Sequence, residues 1–209
     1  MVWVIELNES DHNAALSDAI SRTLHAYNSG HNRYMNDFVR QWKSASDLLH
    51  LKIYPDAKEI TESYGALNAV FTRLKQYNRK DEDITLISVG DGRSPRTAAL
   101  FAFRTAWKCI SIDPQLNTEK IPYWEQSIQR LTCIPKRIEE VDISCEQCII
   151  VSVHSHADLR TTLRNITAPV RSMVAIPCCV SYDYNIPPIE YYDSGIWSPK
   201  NLVKVWRDI

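Results

Sequence analysis

Glycine is scarce in this sequence. There are five in 209 residues, where average composition would give about 7%. Such scarcity excludes glycine-rich linkers and makes each glycine that is present informative. Long apolar runs are missing too. Ala98–Phe103 is typical of the longest, far short of the roughly 18 residues that span a bilayer. The opening Met1-Val2-Trp3-Val4-Ile5-Glu6 lacks the basic segment and long apolar stretch of a secretory leader. Nor does charge of one sign dominate: 24 Lys and Arg face 25 Asp and Glu. That balance excludes a polybasic nucleic-acid arm and an acidic disordered chain. We therefore expect a soluble, cytoplasmic protein with no membrane partner. Its 44% hydrophobic content is enough for one generous domain, or a domain with a small cap.

Six cysteines do not make a disulfide scaffold at this length. Cys145-x-x-Cys148 and Cys178-Cys179 together invite a zinc reading, but adjacent cysteines are poor partners for closing a tetrahedral site. Most of the six sit inside apolar runs, so packing is the favoured role and no metal is expected.

The first eighty residues read as helical. After a short strand-like Met1–Leu7, Leu16, Ile20, Leu24 and Tyr27 share one face. Tyr34, Met35, Phe38, Val39 and Trp42 share another. A third helix starts at Asp56 with Glu59 three residues on, the pattern of a capping box. Its apolar face carries Ile60, Tyr64, Leu67, Val70, Phe71 and Leu74. At Asp83 the period changes. Apolar strand-like runs at 84–89, 108–113, 131–134, 148–153 and 173–176 alternate with helical runs, among them 96–106 and 123–130. This alternation predicts an α/β fold: a doubly wound, mostly parallel sheet covered on both faces. The segments 189–192 and 202–206 predict a closing antiparallel hairpin. We expect an N-terminal helical cap (residues 1–59) and one compact unit over 60–209.

Two of the five glycines stand two apart, in Gly90-Asp91-Gly92-Arg93-Ser94-Pro95, directly after the first strand and before a helix. Glycine provides the positive φ and close backbone approach that such a turn demands. Ser94 suits an N-cap and Pro95 a first helical residue, so the free N–H groups of this helix are expected to face the crevice and favour an anion. Asp113 closes the next strand, where doubly wound folds place the acid that accepts hydrogen bonds from ribose hydroxyls. A plain turn with an exposed Asp would account for a lone G-x-G. The ordered succession of strand, turn, helix, strand and acid favours a nucleoside site. Pro95 stands where the dinucleotide fingerprint needs Gly or Ala, which argues against nicotinamide or flavin cofactors.

The segment resembles motif I of class I S-adenosylmethionine (SAM)-dependent methyltransferases, with Gly90 and Gly92 on the first two glycines and Ser94 replacing the third. Residues 83–180 carry the likeness. By that resemblance the fold is a Rossmann-like methyltransferase type and the cofactor is SAM. Ser88 stands where the family often carries an acid that contacts the methionine amino group, and Asp113 matches the ribose-binding acid. Glu139, in the loop after the third strand, falls where the family holds adenine. His154-Ser155-His156-Ala157-Asp158-Leu159 and Cys178-Cys179 are similar to strand-end motifs of a branch that includes tRNA 2′-O-methyltransferase relatives.

The expected function is SAM-dependent methyl transfer to an unidentified acceptor, RNA slightly favoured. The expected cofactor-binding residues are Ser88, Gly90, Asp91, Gly92, Ser94, Asp113 and Glu139. His154 is the candidate proton acceptor and Asp158 its orienting partner; a strand-end histidine and a helix N-cap are the plainer roles for the same two residues. Arg93, Arg96, Arg104, Arg160, Arg164 and Arg171 are candidates for a basic rim. The competing reading is a catalytically inactive Rossmann-like module acting as a nucleoside- or protein-binding scaffold.

Overall fold

The computed structural model describes residues 30–209. The strand expected at Met1–Leu7 and the helix carrying Leu16, Ile20, Leu24 and Tyr27 lie outside the described residues. The chain then runs through α1 (Arg33–Arg40), α2 (Trp42–His50), α3 (Ala57–Arg73), β1 (Ile84–Val89), α4 (Arg96–Arg104), β2 (Lys108–Ile112), α5 (Ile121–Ser127) and β3 (Leu131–Ile134). It continues with β4 (Ile143–Ser144), β5 (Gln147–Val153), α6 (Leu159–Asn165), β6 (Ile166–Thr167), β7 (Val170–Ile176), β8 (Ile189–Tyr192) and β9 (Leu202–Trp206).

The main sheet has seven strands in the order β3-β2-β1-β5-β7-β9-β8. From β3 through β7 every pairing is parallel; β9 is antiparallel to both β7 and β8. This is the expected doubly wound, mostly parallel sheet closed by an antiparallel hairpin, and it is a Rossmann-like fold of the methyltransferase type. The chain winds outward from β1 to β3 and then crosses back to lay β5 on the other side of β1. The carboxyl ends of β1 and β5 are therefore the switch point, where open α/β sheets form a crevice. β4 and β6 make a separate two-stranded parallel sheet that the sequence pattern did not announce.

All six residues of β1 are buried, as a strand covered on both faces requires. Ile84 and Leu86 face one cluster, with Leu67 of α3, Phe101 of α4 and Val151 of β5. Ile87 and Val89 face the other, with Ile150, Leu159, Leu163 and Trp206. Tyr34 and Phe38 of α1 belong to the first cluster, so the helices before residue 60 share a core with the sheet. α1 is tied down further by Arg33 and the Tyr34 hydroxyl, which both donate to the buried Asp193 carboxylate between β8 and β9. The expected apolar face through Trp42 breaks at Gln41. Trp42 opens α2 instead and is 69% exposed. α3 begins as expected, with Asp56 Oδ1 accepting from the Glu59 N–H at 2.9 Å. No helix among the described residues is long and apolar enough to cross a membrane.

Candidate active site

A cavity of about 350 Å³ opens at the switch point. Its walls come from the turns after β1 (Gly90, Gly92), β2 (Asp113, Gln115), β3 (Lys136–Glu139) and β5 (His154–Ala157). Of the nine residues expected at the site, five line it: Gly90, Gly92, Asp113, Glu139 and His154. Ser88, Asp91, Ser94 and Asp158 do not.

The glycine turn takes the expected conformation, with φ of +88° at Gly90 and +79° at Gly92. The two glycines do different things. A Cβ on Gly90 would lie 2.2 Å from Ser155 Oγ and 3.0 Å from Ser155 Cα. Its bare backbone is what lets the β1 and β5 turns meet. A Cβ on Gly92 would meet nothing nearer than Arg96 Nη2 at 3.5 Å. There the chain faces open space beside the cavity.

Asp113 is held from two sides. Its Oδ2 accepts the Gly92 N–H at 2.7 Å and its Oδ1 accepts the Gln115 N–H at 2.7 Å. A carboxylate offers about four lone-pair sites, so each oxygen keeps one for a ligand. Burial pushes its carboxyl above the usual range, partly offset by the two backbone donors.

Asp91 is corrected from a cofactor contact to a helix cap. It is 2% exposed, and its Oδ1 accepts from Thr97 N at 3.1 Å. Its Oδ2 accepts from Ala98 N at 3.3 Å and from Ser111 Oγ at 2.9 Å. The carboxylate thus occupies the start of α4, so the expectation that those N–H groups would face an anion in the crevice fails. Ser94 is corrected likewise. Its hydroxyl turns away and donates to the Ile53 carbonyl at 2.5 Å, while Pro95 takes the N-cap position without a side-chain cap. Ser88 shares the face of β1 that carries Leu86, beneath the helices. Its Oγ is buried without a hydrogen-bond partner and does not reach the cavity.

His154 has a positive φ of 51° and sits at the cavity wall. Its Nδ1 lies 3.3 Å from Glu62 Oε1 and its Nε2 lies 3.0 Å from the Lys200 carbonyl oxygen. Both nitrogens therefore face protein oxygens, from α3 and from the loop before β9. These contacts tie α3 and the loop before β9 to the rim of β5. Asp158 is the N-cap of α6: its Oδ2 accepts from Thr161 N at 2.8 Å, and that bond holds its carboxyl below the usual range. It is exposed and does not touch His154, which corrects the expected catalytic pair to a strand-end tie and a cap.

Sequence reading missed two acids. Glu59 and Glu62 lie three apart on α3, and each carboxylate contacts a side chain that lines the cavity, Arg96 and His154 respectively. Glu59 Oε1 pairs with Arg96 Nη1 at 2.5 Å, and Glu62, 1% exposed, pairs with Lys58 Nζ at 2.9 Å as well as His154. The available signal was a carboxylate inside a helical stretch otherwise buried from Ile60 to Leu67. The expected arginine rim is not assembled. Arg96 alone of the six lines the cavity. Arg171 donates to the Leu163 and Ile166 carbonyls at the far end of β7, and Arg104 donates to the Tyr64 hydroxyl.

The cysteines separate as well. Cys145 and Cys148 lie at the amino-terminal end of β5, and Cys178 and Cys179 lie beyond the carboxyl end of its neighbour β7. The seven-residue strand between them excludes a four-cysteine centre. Cys179 Sγ instead lies 3.1 Å from His156 Nε2, a neighbouring base that the sequence did not reveal.

No family model matches this chain. A search of curated proteins likewise returned no match. Among solved structures the chain is similar to the 1,6-didemethyltoxoflavin-N1-methyltransferase of Burkholderia thailandensis bound to S-adenosylhomocysteine. That pair is 15% identical, with a TM-score of 0.42, over 100% of this chain and 76% of that one. Phosphoethanolamine N-methyltransferase 1 of Haemonchus contortus is 10% identical, with a TM-score of 0.47, over 83% of this chain and 48% of that one. MtNAS in complex with MTA and tNA is 9% identical, with a TM-score of 0.47, over 79% of this chain and 70% of that one.

Proposed function

We propose that the cavity binds S-adenosylmethionine and that the protein transfers its methyl group to a nucleophilic acceptor. The observation that carries this reading is Asp113. It is a carboxylate at the end of β2, preorganised by two backbone donors, with free lone pairs beside a glycine turn in which Gly92 leaves space for a ligand. That arrangement suits the two hydroxyls of a ribose. Glu139, exposed in the turn after the neighbouring β3, also lines the cavity and in this reading borders the base.

When bound, the cofactor supplies an activated methyl on sulfur, so transfer is an in-line displacement in which positioning does most of the work. The chain's own contribution is to orient. Asp113 accepts hydrogens from the ribose hydroxyls, and Gly90 holds the β1 turn against Ser155. The Glu62–His154–Lys200 tie fixes the rim where the acceptor would approach. No side chain is assigned as the base. Because the arginines do not gather on the rim, RNA is not carried into this reading.

The test is calorimetric titration with SAM, S-adenosylhomocysteine and NAD side by side. The reading expects saturable 1:1 binding of the first two and none of NAD. Absence of binding by all three would favour the scaffold alternative.

A further inference from the structure

β5 and β7 pair in parallel, with Val153 opposite Ile176 at their carboxyl ends. His156 follows Val153 by three residues, and Cys178 and Cys179 follow Ile176 by two and three. The register therefore delivers an imidazole and two thiols to one point on the rim. Two contacts hold the turns together there. Cys178 Sγ donates to the His154 carbonyl at 3.6 Å, and the Tyr182 hydroxyl lies 3.3 Å from the carbonyls of both Ser155 and Ala157.

The three donor atoms all lie within 4.8 Å of one another. Cys179 Sγ is 3.1 Å from His156 Nε2 and 3.4 Å from Cys178 Sγ. In a tetrahedral zinc site, bond lengths of about 2.3 Å to sulfur and 2.0–2.1 Å to nitrogen give edges of about 3.8 Å between sulfurs and 3.6 Å between sulfur and nitrogen. The two edges at Cys179 reach those values by lengthening about half an ångström or less, and the third, between Cys178 Sγ and His156 Nε2, is at most 4.8 Å and needs to close by about 1 Å at most. No carboxylate belongs to the cluster, which disfavours the hard cations that need oxygen ligands. Two sulfurs and an imidazole suit a soft or borderline d¹⁰ ion. Adjacent cysteines are poor partners for closing a tetrahedral site, but the geometry meets that objection: the two sulfurs stand 3.4 Å apart with an imidazole from another turn beside them, and they need supply only two of four positions.

We propose that His156, Cys178 and Cys179 bind a thiophilic divalent cation of the zinc class, with the fourth coordination position left to an exogenous ligand. The site lies where the main cavity, lined by His156, adjoins a second depression lined by the two cysteines. An exogenous group on the ion would therefore stand at the junction of the two depressions. As a free thiol Cys179 is not a prepared nucleophile, since its hydrogen bond with Cys178 pushes that thiol up. Metal binding would replace both thiol protons, which leave to solvent. The site stands or falls without SAM, because its test uses metal alone.

The experiment titrates Co²⁺, and then competing Zn²⁺, into the reduced, chelator-treated full chain. The expected result is one equivalent of cobalt with thiolate-to-metal charge-transfer absorption, discharged by zinc. Cys178→Ser and Cys179→Ser should each abolish the absorption. His156→Ala should weaken binding on the order of 100-fold, at least the loss typical of a supporting ligand. Cys145→Ser should change nothing, and circular dichroism should show every variant folded. Two results would overturn the proposal: no charge-transfer band at one equivalent in the folded wild type, or a band that survives Cys179→Ser and disappears in Cys145→Ser.

Discussion

Removing the Asp91 carboxylate tests whether the glycine turn uses that residue for a ligand or for the fold. In Asp91→Ala, Thr97 N, Ala98 N and Ser111 Oγ all lose their acceptor. Each buried donor left without a partner costs about 1–3 kcal/mol. The low end is appropriate, because a small void at a helix start admits water, and three such donors give about 3 kcal/mol. Loss of an N-cap alone costs about 1 kcal/mol, so this figure is not extreme. For a chain of this size each kcal/mol lowers Tm by about 2–4 °C, which predicts a fall of about 6–12 °C. Asp91→Asn keeps one carbonyl oxygen for Thr97 N, and the Ser111 hydroxyl can rotate to accept from the new amide. Only Ala98 N is stranded, at about 1 kcal/mol. Thermal and urea unfolding followed by far-UV circular dichroism should therefore rank wild type above Asn and Asn above Ala. Ligand titration of the folded variants should change little. If Asp91→Ala melts with the wild type and loses cofactor affinity, the carboxylate faces a ligand and the capping argument is wrong.

Three further outcomes follow from the same geometry. Gly90→Ala must drive a methyl into Ser155 and should prevent folding or cost several kcal/mol. Gly92→Ala meets only the strain of a left-handed residue, about 1–2 kcal/mol, and comparative melting curves should separate the two. Asp158→Ala should lose about 1 kcal/mol of capping while any transferase activity persists. The folded state holds that carboxyl below its ordinary value of 3.8. The stabilisation is therefore complete above the unfolded value and lost as pH falls through the lower folded one, so wild type and variant should converge in acid unfolding curves. Ser88→Ala removes a buried hydroxyl that has no partner, and should leave Tm equal or raised and cofactor affinity unmoved. A drop in affinity would restore Ser88 to the site.

Most of the sheet was legible in the sequence, because strands buried on both faces read as continuous apolar runs. Runs such as 148–153 leave little room for another interpretation. The glycine turn and Asp113 were legible for a different reason: positive φ is costly for other residues, and the acid stands at a fixed place in a doubly wound fold. Asp91, Ser94, Ser88 and Asp158 were misread because residue type at a strand end does not say which way a side chain points. A carboxylate one residue from a ligand can satisfy a helix instead. Glu62 was missed because it reaches His154 across some ninety residues of sequence, a contact that periodicity does not encode. The meeting of His156 with Cys179 depends on the register of β5 and β7, which no local pattern specifies.

In the proposed function a nucleoside sits with its ribose on Asp113. Calorimetry of S-adenosylhomocysteine against wild type and Asp113→Ala, each first shown to be folded, tests it most directly. Two hydrogen bonds to a charged acceptor should together contribute about 3 kcal/mol, so the variant should bind on the order of 100-fold more weakly. Equal affinity in the two proteins, or no binding by the wild type at millimolar ligand, would rule out a ribose on Asp113.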